Sequence, residues 1–174
     1  MFAPIFLMLT SALTIALDNM QRGPAKPGAD ARTSETAQLK LTTSTGPQPA
    51  GAAEKLVLFL DIAPKPKMHV FAPGQEGYIA VALTLDGSSA FTSSPPQFPK
   101  AEKVFFKALN ETQLVYSKPF RIVQEITFAR GQHAPPTTDA PLTIKGSLRY
   151  QACDDKVCYL PKTVPIEWTV QRKR

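Results

Sequence analysis

"LTIKGSLRYQACDDKVCYLPKTVPIEWTV" runs from Leu142 to Val170, and its alternation decides the fold. At its start Leu142, Ile144, Leu148 and Tyr150 alternate with Thr143, Lys145, Ser147 and Arg149. At its end Val164, Ile166, Trp168 and Val170 alternate with Thr163, Glu167 and Thr169. A period of two marks a half-buried strand, with one face in a core and the other in water. Two such strands on either side of a short polar stretch read as an antiparallel pair.

The same period continues outward from this stretch. In "PFRIVQEITF", Phe120, Ile122, Ile126 and Phe128 oppose Arg121, Glu125 and Thr127, and "YIAVALTL" puts Ile79, Val81, Leu83 and Leu85 on one face. "KLVLFLDI", from Lys55 to Ile62, is apolar on both parities, which predicts a central strand. No window carries the three-and-four spacing of an amphipathic helix. Seventeen prolines exceed the usual share of about 5%, and proline favours turns and strand ends over helix interiors. About seven strands separated by Pro- and Gly-bearing turns predict an all-β fold, an immunoglobulin-like antiparallel β-sandwich, over residues 38–174.

The N-terminal third reads differently. Phe2 to Leu17 is an apolar run, short for a bilayer span and long enough for a signal-peptide core. Residues 1–17 are therefore read as a signal peptide or an N-terminal anchor. Export is expected, with membrane contact only through that segment if it is uncleaved. Residues 18–37 are polar and rich in Pro, Gly, Ala and Thr, the composition of a flexible linker. Thr42 to Glu54, "TTSTGPQPAGAAE", reads as a long loop between early strands.

The net charge of +6 invites a nucleic-acid reading. The basic residues are scattered singly apart from Arg172, Lys173 and Arg174, with no interleaved aromatics, zinc-finger spacing or phosphate-binding loop. Acidic protein partners or plain solubility account better for such a surface. No Ser-bearing nucleophile turn accompanies His69 or His133, and the carboxylates have no informative spacing. Neither a small-molecule substrate nor a cofactor is expected.

The chemistry concentrates in Cys153 and Cys158, the only cysteines, with the polar turn "DDKV" between them. Strand parity carried past Tyr150 places Ala152 towards the core and Cys153 on the outer face. Two residues flanking a four-residue hairpin loop come within disulfide reach. Three uses remain open: a staple in a binding or adaptor sandwich, a metal clasp, or an exchangeable dithiol. Closing so small a loop removes roughly 2 kcal/mol of unfolded-state entropy, little for a domain with this much core. Zinc normally takes four ligands, and beyond the cysteine pair there are only His69 and His133, the latter in a Pro-rich loop. A copper-handling protein would use Cys153, Cys158, Met68 and His69. Exchange requires a thiolate, which Asp154 and Asp155 disfavour and Lys156 favours; an activated thiol on a partner would supply the nucleophile instead.

"YQACDDKVCYLP" followed by "TVPIEW" resembles the active-site hairpin in the N-terminal domain of the DsbD thiol–disulfide interchange proteins. "MHVFAPGQEGYIAVALTL" resembles that family's strand pair with a histidine–aromatic element, and "PPQFPKAEKVFF" its Pro-containing middle segment. The likeness runs in order from Leu39 to Val170. It implies a periplasmic immunoglobulin-like domain that takes electrons from one thioredoxin-like partner and passes them to another. Cys153 and Cys158 match the redox pair, with Cys158 forming the mixed disulfide. His69 and Phe71 match positions flanking the pair, where they would pack and shield, with His69 a proton relay. Phe105 to Gln113, "FFKALNETQ", matches a cap loop, with Phe106 or Leu109 over the cysteines. Adjacent in a strand, Phe105 and Phe106 would face opposite ways, so one of them needs a role outside the core. The best-known member has one more residue between its cysteines. The chain carries neither that family's multi-helix membrane domain nor its C-terminal thioredoxin domain, so a stand-alone chain with a separate donor is expected.

Overall fold

Alternation becomes strand along most of the chain. The computed structural model describes residues 30–47, 55–107, 109–130 and 141–170. Among them, in chain order, are strands β1 (Arg32–Glu35), β2 (Leu39–Thr45), β3 (Lys55–Pro64), β4 (His69–Phe71), β5 (Ala82–Leu85) and β6 (Phe91–Ser93). They are followed by β7 (Glu102–Phe106), β8 (Glu111–Tyr116), β9 (Phe120–Phe128), β10 (Leu142–Tyr150), β11 (Ala152–Cys153) and β12 (Lys162–Val170). Among the described residues there is no helix. The apolar segment 1–17, most of the 18–37 stretch and His133 lie outside them.

The strands form an all-β, immunoglobulin-like sandwich. One sheet runs β1-β2-β3-β9-β6; across from it lie a three-stranded sheet, β12-β10-β5, and a four-stranded sheet, β11-β4-β8-β7. Every pairing within these sheets is antiparallel. The expectation for β3 holds: it lies between β2 and β9, with Leu56, Leu58, Leu60 and Ile62 buried and Val57 and Phe59 half-buried on its other face. That second face is covered by Arg121, whose guanidinium lies 4.5 Å from the Phe59 ring centroid. Arg121 also donates two hydrogen bonds, at 2.7 and 2.8 Å, to the Asp61 carboxylate opposite it in register. Such bidentate pairing fixes a cross-strand match that apolar contact alone leaves loose.

Trp168 joins the two layers. Its ring is 1% exposed and its Nε1–H donates to the Phe59 carbonyl at 2.9 Å, so burial leaves no orphan donor. Truncation to Ala would cost about 3–5 kcal/mol through the cavity left behind. Nearby, the Thr43 hydroxyl donates to the Glu167 carbonyl at 2.8 Å, linking β2 to β12. In β10, Gly146 is needed for close approach: a Cβ there would sit 2.5 Å from the Thr84 carbonyl oxygen of β5.

Two early segments differ from the sequence reading. Arg32–Glu35, read as part of a linker, forms the edge strand β1 against β2. All four of its residues are exposed, so it leaves no hydrophobic pattern; backbone pairing and a Thr33–Thr42 hydroxyl contact at 3.2 Å hold it. Thr42 to Thr45, read as the start of a loop, complete β2, and Thr43 and Ser44 are buried. A polar strand end carries weak periodicity, and its register with Asp61, Leu60, Phe59 and Leu58 is set by the partner strand.

Candidate functional site

The four-stranded sheet has two unlike faces. Directly paired residues share a face, so Ala152, Val70 and Tyr116 form a row, and all three belong to the main core. The opposite face carries Cys153 paired with His69, and Phe71 paired with Val115. Along β7 the same face continues through Val104 and Phe106, which register with Gln113 and Glu111 of β8. Cys153, Phe71 and Val115 make a second, smaller apolar cluster, with Tyr78, Val104 and Phe106 packed against it.

Parity therefore places Cys153 correctly, away from the main core. It fails on exposure: Cys153 is only 2% exposed. The sheet's outer face is covered locally, which a rule about alternation within a strand cannot foresee. The cover comes from the loop after β4. Gly74 and Gly77, with φ of 91° and 77°, turn it back on itself in a region that disfavours side-chain-bearing residues. Gln75 anchors the turn by accepting the Leu114 N–H at 2.6 Å. Tyr78 then stacks on Phe71 with centroids 4.2 Å apart. Its hydroxyl donates to Glu111 Oε1, and the same oxygen accepts from Gln113 Nε2 at 2.8 Å.

Cys153 and Cys158 form a disulfide, with Cα atoms 4.0 Å apart and an isolated antiparallel bridge between them. Asp154 organises the intervening turn. Its Oδ1 accepts the N–H groups of Lys156 and Val157, each at 2.8 Å, and its Oδ2 accepts the Tyr159 hydroxyl at 2.8 Å. These hydrogen bonds, the one from Val157 foremost, hold the Asp154 carboxyl below its ordinary range. The bonds Asp154 N–H to Val157 O at 3.0 Å and Tyr159 N–H to Ala152 O at 2.9 Å close the hairpin. Gln151 ties it to the cap-side loop by accepting Ile79 N–H at 3.1 Å and donating to the Tyr159 carbonyl at 3.2 Å.

The two sulfur-bearing residues differ sharply in access. Cys153 is buried, whereas Cys158 is exposed, between Val157 at 52% and Leu160 at 85% exposure. A nucleophile approaching from solvent reaches Cys158.

His69 is 6% exposed, its ring tilted over Phe106 with centroids 4.8 Å apart and edge-on to Phe71 at 5.8 Å. Its Nε2 is buried without a hydrogen-bond partner. Burial pushes its pKa down, partly offset by the charges of Asp155 and Asp154. The imidazole is thus held neutral near pH 7. Met68, named with His69 in the copper reading, is half-buried just ahead of β4. Both sulfurs are engaged in the disulfide, so neither is a thiolate ligand in this form.

Of the two cap residues expected over the cysteines, the structure brings in one. Phe106, the last residue of β7, packs against the Cys153 cluster and His69. Leu109 lies in the following turn, 54% exposed. The segment is a tight hairpin between β7 and β8, with Asn110 at φ 52° where the chain reverses. Phe105 faces the other way and is 54% exposed, on the side opposite Phe106. Sequence reading missed Tyr78, Val104, Val115 and the Glu111–Gln113 pair. The one available signal was an aromatic set directly after a Gly-x-x-Gly turn, in "GQEGY".

No curated protein matches the chain. The N-terminal periplasmic domain of ScsB from Proteus mirabilis is similar to it at 13% identity and TM-score 0.49, covering 76% of this chain. The chain spans about half of that structure, 47% of its length. The yeast GGA1 GAE domain is similar at 9% identity and TM-score 0.41, covering 77% of this chain and 94% of that one. A family profile described as "Thiol:disulfide interchange protein DsbD, N-terminal" matches residues 35–168, which include both cysteines, His69, Phe71 and the cap hairpin. The chain belongs to the family of the DsbD N-terminal domain, a thiol–disulfide interchange module.

Proposed function

We propose that this domain is a periplasmic electron carrier, accepting electrons from one thioredoxin-like protein and delivering them to another through the Cys153–Cys158 pair. The observation that carries this reading is the unequal exposure of the two cysteine residues: Cys158 exposed, Cys153 buried. In thiol–disulfide exchange the attacked sulfur joins the partner and the other sulfur leaves. A partner thiolate attacks Cys158 Sγ, the disulfide breaks, and its electron pair goes to Cys153 Sγ. The partner's second thiolate then attacks its own sulfur in the mixed disulfide and releases Cys158. The partner dithiol is oxidised, the pair is reduced to a dithiol, and two electrons and two protons have moved. Passing them to an acceptor disulfide runs the same steps backwards, with Cys158 as the nucleophile.

In this scheme His69, Phe71 and Phe106 keep water and bulk thiols away from Cys153. Without them a half-completed exchange would be open to unspecific reductants. Apolar Val157 and Leu160 beside Cys158 give a partner surface to rest on. The test is trapping. With Cys153→Ser and Cys158 loaded as its mixed disulfide with thionitrobenzoate, a thioredoxin-like partner that keeps only its attacking cysteine should displace the thionitrobenzoate and stay on Cys158 as a stable mixed disulfide. With Cys158→Ser, the buried Cys153 should not take the partner. Failure of both variants to trap any such partner would move the assignment to a binding sandwich with a structural disulfide.

A further inference from the structure

His69 is the one feature of the site that shielding does not explain. It stands directly opposite Cys153 in the β4–β11 register, on the same face of the sheet. It is 6% exposed and pressed between aromatic rings, yet its Nε2 has no hydrogen-bond partner. A buried polar atom left unpaired costs free energy that a phenylalanine in the same place would not. Such a cost makes sense if the atom gains a partner in the other redox state.

The exchange described above creates that partner. When Cys158 is attacked, Cys153 leaves as a thiolate amid Phe71, Val115, Val104, Phe106 and Tyr78. An anion in apolar surroundings is strongly disfavoured unless it is protonated or hydrogen-bonded. The charged and titratable groups nearby are Asp154, Asp155 and Lys156 on the hairpin, and Tyr78 and Glu111 on the cap side. Asp154 is already committed to Lys156 N, Val157 N and Tyr159, and both aspartates repel a thiolate. Tyr78 is committed to Glu111.

We propose that His69 is the proton carrier for the Cys153 sulfur, so that in the reduced domain Nε2 and Cys153 Sγ share one proton that the disulfide form does not hold. This rests on the exchange reading and deepens it. The balance closes: reducing the disulfide needs two electrons and two protons, both supplied in sum by the partner dithiol. One proton reaches exposed Cys158 from solvent. The other reaches Cys153 through His69, which releases it again when Cys153 re-forms the disulfide.

The test is a pair of NMR titrations of the whole chain, following the His69 ring and the Cys153 Cβ in the disulfide form and after chemical reduction with a phosphine. Sharing a proton couples the two groups. In the reduced form His69 is therefore expected to follow two steps, the upper one coincident with ionisation of Cys153; in the disulfide form it follows one. Identical single-step curves in both forms would overturn the proposal. In parallel, His69→Phe preserves an aromatic ring in the cluster but carries no proton. Without that shared proton the Cys153 thiolate is the poorer leaving group, so the variant should be reduced by dithiothreitol roughly three- to tenfold more slowly, with an altered pH profile. An unchanged rate and profile in a folded variant would also overturn it. Neither arm uses a protein partner, so a failure here leaves the electron-carrier reading intact, and failure of the trapping test leaves this one readable.

Discussion

The Tyr159 hydroxyl donates to Asp154 Oδ2 at 2.8 Å across the hairpin that holds the disulfide, while Asp154 Oδ1 takes two backbone N–H groups of the turn. One carboxylate thus fixes the segment that presents Cys158. The hydrogen bonds lower its pKa from the ordinary 3.8. Linkage then has a definite sign. A depressed folded-state pKa contributes order above the unfolded value, and that contribution is lost as the pH falls through the folded value. The Lys156 and Val157 amide shifts should stay constant down to the ordinary carboxylate range and then move together, with a midpoint below 3.8. Asp154→Ala should remove this titration and speed Val157 amide exchange several-fold at neutral pH, whereas Asp154→Asn keeps one acceptor and lies between. A Val157 amide that exchanges equally in all three proteins would refute the role.

Tyr78 closes the cluster from the cap side, stacked on Phe71 and bonded to Glu111. Tyr78→Phe retains the stack and deletes only the bond. The expected result is a cap hairpin that opens more often, seen as several-fold faster alkylation of Cys153 in the reduced protein. Cys158, already exposed, should react at its original rate. Equal acceleration of both thiols would mean that the substitution loosens the whole domain.

Leu160, at 85% exposure, has little to contribute to folding. Surface substitutions of this kind usually stay within about 0.5 kcal/mol. Leu160→Asp should leave stability and the rate of reduction by dithiothreitol near their original values, and slow exchange with a thioredoxin-like protein by about tenfold or more, as loss of an interface anchor does. Equal rates with the protein partner would remove Val157 and Leu160 from the docking surface.

How much of this was legible in the sequence varied with the kind of interaction involved. The alternation in β9, β10 and β12 marked strands because their inner faces are buried and their outer faces wet. β3 was legible as central because it is apolar on both parities. β1 was not, since four exposed residues held by backbone pairing leave no trace in side-chain chemistry. At the site, parity gave the direction of Cys153, and resemblance to a family named His69, Phe71 and the alternatives Phe106 or Leu109, between which only the folded hairpin chooses. The burial of Cys153 depended on Tyr78 arriving from a glycine-turned loop, a contact between separate segments that no local pattern encodes. The unpaired Nε2 of His69 likewise exists only in three dimensions.

The central claim is that Cys153–Cys158 is an exchangeable pair, and its reduction potential tests this most directly. Equilibrating the protein with defined thiol buffers and counting alkylated cysteines by mass gives the value. The account predicts a potential well above about −300 mV, within reach of thioredoxin-like partners. A potential below that would make the bond a structural staple and contradict the account.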